Sequence, residues 1–210
     1  MAFKLANLEP RNTTFVLIFD PKDLTEVHLD PIRRNSHFDV LMSSSEPQAL
    51  LLKSEARSVT ITIQPTRLEL VQELKIPFKE RGLSELRELL QALPELGVKS
   101  FGLNYTVFFS IKGFPSGGQY IRERFLKQPT GLDDVLDGPV LSNSTRILFG
   151  SPEEYRDVRF TPPDVRSEVV ILQYHYHREE QVRDRERTLR VIHEQYETEV
   201  THIDALMEKL

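Results

Sequence analysis

Apolar and polar residues alternate with a period of two through much of the first half of the chain. Ser58 to Gln64 sets Val59, Ile61 and Ile63 on one side and Thr60, Thr62 and Gln64 on the other. That is the pattern of a strand in a sheet with one buried and one wet face. Arg67 to Leu70 repeats it, Leu68 and Leu70 opposing Arg67 and Glu69, although Val71 then falls on the polar side; Pro65 marks the connection. Thr14 to Phe19 is a β-rich run closed by Asp20-Pro21, where proline forbids a continuing central strand. Together with Phe38 to Met42 and Ala49 to Lys53, these runs predict an antiparallel meander.

At Leu83 the period changes. Leu86, Leu89, Leu90 and Leu93 fall at helical spacing, Ser84 stands where a cap is expected, and Pro94 stops the run. Phe101 to Lys112 is again β-rich, and Gly113 to Gly118 forces a loop. Tyr120 to Lys127 reads as a short helix and Gly131 to Gly138 as an irregular acidic segment. Ser144 to Phe149, Asp157 to Phe160 and Glu168 to His177 read as strands. Strands and helices do not alternate as a doubly wound parallel sheet requires. The expected fold class is therefore α+β: a mostly antiparallel sheet with helices packed on it and a long C-terminal amphipathic helix.

That last helix carries the plainest pattern in the chain. Val182, Leu189, Tyr196, Ile203 and Leu210 recur every seven residues, and Ile192, Val200, Leu206 and Met207 fill the same side. The opposite side holds Arg183, Arg187, Arg190, Glu194, Glu197, Asp204 and Glu208, and neither Gly nor Pro occurs after Arg178. A helix from Arg178 to Leu210 would be roughly 45 to 50 Å long at about 1.5 Å per residue. The expected division is thus an α+β domain over 1–177 and a helix over 178–210. The stripe has two readings: cover for its own domain, or a surface that pairs with another copy or a partner helix. Arg178 to Thr188 is a charged connector, so the candidate protein-binding residues are Leu189, Ile192, Tyr196, Ile203, Leu206 and Leu210. Glu194, Glu197, Glu199, Asp204 and Glu208 make this part acidic and argue against a membrane-surface helix.

Composition narrows the chemistry. With 39% hydrophobic and 28% charged residues the chain belongs with ordinary globular proteins. A net charge of -5 argues against a broadly basic nucleic-acid surface. The lack of cysteine excludes disulfides, thiolate catalysis and thiolate metal sites. Phe15 to Phe19 and Val169 to Leu172 are too short to span a bilayer, and Met1 to Leu8 lacks a leader-like apolar run, so the expected location is cytoplasmic.

Three places hold candidate site chemistry. Tyr174-His175-Tyr176-His177 puts His175 and His177 on one face, a pair that could begin a metal site with a third ligand from Glu179, Glu180, His193 or His202. The loop before the second helix, with Gly117 and Gly118 and the nearby Arg122 and Arg124, is a setting in which backbone amides gather phosphate, although Ser116 could instead cap a solvated turn and no Walker or dinucleotide fingerprint is present. Arg33, Arg34 and His37 form a further basic spot. No Gly-x-Ser-x-Gly elbow and no His-Glu-x-x-His helix occurs. The function expected from these patterns is non-enzymatic: a protein-binding or assembly component of a cytoplasmic complex, a homo-oligomer or a hetero-complex, joined through the C-terminal helix. The alternative is an enzyme or sensor acting on a phosphorylated ligand or nucleic acid through the 113–118 loop, or through a metal at His175 and His177; no cofactor identity follows.

Overall fold

The computed structural model describes residues 5–23, 38, 40–46, 48–74, 76–81, 83–93, 96–125, 143–182 and 184–209. Arg33, Arg34, His37, the segment 131–138 and Leu210 lie outside them. The chain runs β1 (Leu5–Phe19), β2 (Val40–Ser45), β3 (Gln48–Ser54), β4 (Val59–Gln64), β5 (Arg67–Gln72), α1 (Phe78–Arg81), α2 (Ser84–Ala92), β6 (Val98–Ile111), α3 (Gly117–Phe125), β7 (Thr145–Gly150), β8 (Glu154–Thr161), β9 (Val169–Val182) and α4 (Arg185–Lys209). Among the described residues nine strands form one sheet in the order β2-β3-β4-β5-β1-β6-β9-β8-β7, and each of their pairings is antiparallel. The fold is α+β, as the patterning implies.

Register follows the apolar alternation. Phe15 stands between Leu70 of β5 and Leu103 of β6, and Leu103 in turn faces Tyr176 of β9. A slip of one residue would turn this whole row to the wet side. Leu52, Ile61, Leu70, Phe15, Leu103 and Tyr176 are all buried. Each such side chain contributes about 1.5 to 3 kcal/mol on burial. β1 extends past β5: before Thr13 it pairs, among the described residues, with β6 alone, so the missing N–H of Pro10 breaks no ladder with β5, and shifts in register flank it.

All four described helices lie on this apolar face. α1 reaches it through Phe78, whose ring meets Tyr105 edge-on at 4.9 Å, and through Arg81, which donates to Thr13 at 2.9 Å. α2 ties Glu85 to Gln72 of β5 and to Arg57 of the β3–β4 turn. α3 sets Tyr120 against Phe109, and Phe125 against Phe160. The other face carries Asn104, His175, His177 and the Thr14, Thr60 and Thr62 hydroxyls, half-buried among the described residues.

Several boundaries differ from the sequence pattern: β1 begins at Leu5 rather than Thr14, and α3 at Gly117 rather than Tyr120. The strand β9 continues through Arg178 to Val182, because Arg178 pairs with Phe101, Glu179 with Ser100 and Val182 with Val98; the helix therefore begins at Arg185, not Arg178. The single turn α1 had no periodic signal. Ser84 opens α2 rather than capping it, and its hydroxyl donates to Glu85 at 3.1 Å.

Candidate functional site

The apolar stripe of α4 lies on its own sheet. Ile192, Tyr196, Val200 and Ile203 are buried, while Leu189, Leu206 and Met207 are partly buried against the same core. Arginines hold the helix at both ends. Arg185 donates to the carbonyls of Leu93, at 2.7 Å, and Gln91 at the C-terminus of α2, and Arg124 of α3 donates to the carbonyl of Lys209 at 2.6 Å. Each places a cation where a helix exposes unpaired carbonyls and the negative end of its dipole. Asp184 starts the helix by accepting from the amide of Arg187 at 2.6 Å.

Between these ends sits a buried polar anchor that the sequence did not reveal. Glu199 is 0% exposed, not a solvated acidic residue. It accepts two hydrogen bonds from Arg156 of β8, at 2.7 and 3.2 Å, one from Gln195 and one from the Tyr174 hydroxyl. A buried carboxylate needs this degree of pairing. Burial and then Glu199 raise the Tyr174 phenol well above its ordinary value. Tyr196 donates to the Phe78 carbonyl at 2.7 Å, and burial pushes its phenol up to about 12. Arg81, drawn down to about 10 by burial, donates to Thr13 and to the carbonyls of Ile76 and Leu74 and lies over the Phe78 ring.

Amides at the start of α3 bond within the chain. Gly117 donates to the Ser167 carbonyl at 2.7 Å, and the amide of Gln119 donates to the Ser116 hydroxyl at 3.2 Å, so Ser116 is the helix cap. A Cβ on Gly117 would come within 2.7 Å of the Val169 carbonyl oxygen. Close packing against β9 thus accounts for the glycine. Gly118 is buried beside it, Arg124 faces the end of α4, and Arg122 is half-buried on the same helix.

His175 and His177 do share the open face. His175 stands opposite Asn104 and Asp157, with its Nδ1 donating to Asn104 Oδ1 at 2.5 Å. Burial and then the neighbouring His177 lower its imidazole below the ordinary range. His177 stacks on Tyr155 at 4.9 Å. The Asp157 carboxylate that could have served as a third ligand accepts instead from Arg159 and Arg146, at 2.6 and 2.8 Å in the shortest bonds, which hold it down at about 2. Among the described residues no group of three His, Asp or Glu gathers around a possible ion. His193 and His202 lie on α4, where they face Glu197 and Glu199. Asn104, Thr106, Gln173, Asp157, Arg159 and His175 line a shallow depression of 440 Å³.

Among the described residues, three consecutive exposed apolar side chains lie elsewhere. β7 closes one end of the sheet, paired among the described residues with β8 alone, and its Ile147, Leu148 and Phe149 are 39%, 60% and 49% exposed. Ile147 and Phe149 stand opposite Val158 and Arg156 on the helix-bearing side, and Leu148 stands opposite Asp157 on the open side. Gly150 ends the strand at φ +121°, where a Cβ would collide with the Glu154 carbonyl. The other edge, β2, exposes a single large apolar residue, Met42 at 59%, followed by Ser43, Ser44 and Ser45, among the residues whose exposure is described. Polar residues blunt an edge; a bare apolar edge invites pairing. The sequence marks Ser144 to Phe149 as a strand, and only the strand order shows that β7 is terminal.

No protein-family model matches the chain, and no curated protein is significantly similar to it. No described helix is long and apolar enough to cross a membrane.

Proposed function

We propose that this chain is a non-enzymatic protein-binding or assembly component, and that it associates through the β7 edge of its sheet. One observation carries the reading: Ile147, Leu148 and Phe149 stand exposed on a terminal strand whose outer side has no partner among the described residues. Strand addition at such an edge draws affinity from main-chain hydrogen bonds and selectivity from alternate side chains. The stripe of α4, the surface the sequence favoured, supports the reading less well because Ile192, Tyr196 and Ile203 are covered within the chain. A full-length Leu148→Lys variant tests the proposal. Association measured by light scattering and by capture of host proteins is expected to be lost with thermal stability unchanged, while Glu194→Lys on the exposed side of α4 keeps it; loss with Glu194→Lys alone would overturn the reading.

A ligand site on the open face is the second reading, supported by the 440 Å³ depression that brings His175 beside Asp157 and Arg159. It predicts that phosphate or a divalent ion such as zinc shifts the His175 ring signals in NMR spectra. Unmoved signals across a ligand panel would remove it.

A further inference from the structure

We infer that the occupant of the β7 edge is a second copy of the same chain, paired antiparallel about a two-fold axis that passes through Leu148. This rests on the reading of β7 as the association edge and names its partner. An axis perpendicular to the sheet keeps each face on its own side, so residues meet only when their numbers differ by an even count. Centred on Leu148, the register sets Leu148 against the partner's Leu148 on the open face, and Ile147 against the partner's Phe149 on the helix-bearing face. Arg146 then faces the partner's Gly150, and the two Arg146 residues stand about 13 Å apart along the strands. Their charge is already engaged by Asp157 of their own chain. Shifting the centre to Ile147 would set Arg146 against the partner's Leu148, and shifting it to Phe149 would leave Leu148 against glycine. Only the Leu148-centred register matches all three exposed apolar residues with apolar ones and opposes no like charges.

The two sheet edges also decide between a closed pair and a filament. Pairing β7 with β2 of another copy would leave an edge free at each end and propagate, whereas β7 with β7 closes at two. β2 exposes Met42 at 59% beside Ser43, Ser44 and Ser45; setting Met42 against Leu148 would place Ser43 against Ile147 or Phe149, a poorer match than the β7 row makes with itself.

The chain contains no cysteine, so single introduced cysteines report the register directly. In light scattering over a concentration series, the wild type is expected to approach twice 24.4 kDa, and Leu148→Arg to stay near 24.4 kDa with an unchanged melting curve. Under mild oxidation Leu148→Cys is expected to give a covalent dimer and Thr145→Cys none, since paired Thr145 residues would lie about 20 Å apart, beyond disulfide reach. A wild-type mass of 24.4 kDa at every concentration, a dimer that survives Leu148→Arg, or cross-linking through Thr145→Cys instead would each overturn the inference. If the wild type is monomeric yet captures a host protein that Leu148→Arg loses, self-pairing falls and the binding reading stands. If it is monomeric and captures nothing, both fall.

Discussion

Two apolar stretches of this chain, α4 and β7, have opposite fates. α4 has the stronger periodic signal, yet its stripe faces its own sheet, fixed by Arg185 at one end, Arg124 at the other and Glu199 in between. β7 has three apolar residues with no alternation, and all three stand exposed at the end of the sheet. The strength of an amphipathic pattern therefore measures how much surface needs cover, not what covers it. A helix has the length to fold back across its own sheet; a strand that ends a sheet can be covered on its outer side only by something beyond the sheet.

The largest effect on stability is expected at the buried anchor of α4. Glu199→Ala takes the closer acceptor from the half-buried Arg156, leaving it Glu154, and removes the acceptor of the buried Tyr174 hydroxyl; it is expected to cost about 3 kcal/mol in urea unfolding. A loss below 1 kcal/mol would mean that α4 is not held by this pair. Truncating Ile203 to Ala should cost about 2 to 4 kcal/mol through the cavity it leaves. Acid tests the open face. The Asp157 pKa is held near 2 by Arg159 and Arg146, so its contribution is present above the ordinary carboxylate range and lost as pH falls from about 4 through 2. The loss is expected to be about 1 kcal/mol, since both arginines are half-exposed, and should vanish in Asp157→Asn. His175 works in the same direction at higher pH: its lowered pKa favours the neutral ring in the fold, so stability is full above about 6.5 and declines as pH falls below it. His175→Gln should flatten that part of the profile. The smallest stability effect belongs to β7, where Leu148→Lys should change unfolding by no more than about 0.5 kcal/mol. A large destabilisation there would mean that Leu148 is covered within the monomer.

Much of the architecture was legible in the chain. The alternation of Val59, Ile61 and Ile63 and the helical spacing of Leu86, Leu89, Leu90 and Leu93 put strands and helices where they occur, because burial on one face leaves a local period. Strand order is not local. Nothing near Thr145 says that β7 ends the sheet, and nothing near Tyr155 says that its ring will stack on His177. Glu199 looked like one more acid on a polar helix, since its partner Arg156 is 43 residues away. His175 and His177 were correctly placed on one face, but the register that gives Asp157 to Arg146 and Arg159 was beyond reach of spacing. The 113–118 loop carried a composition suited to phosphate, whereas Gly117 answers to the close approach of Val169.

Amide hydrogen exchange in dilute and concentrated protein tests the contrast between α4 and β7 most directly. Protection of Thr145–Gly150 is expected to rise with concentration, as outer main-chain groups acquire a partner, while Arg185–Lys209 stays protected to the same degree throughout. Rising protection in α4 with β7 unchanged would contradict that contrast.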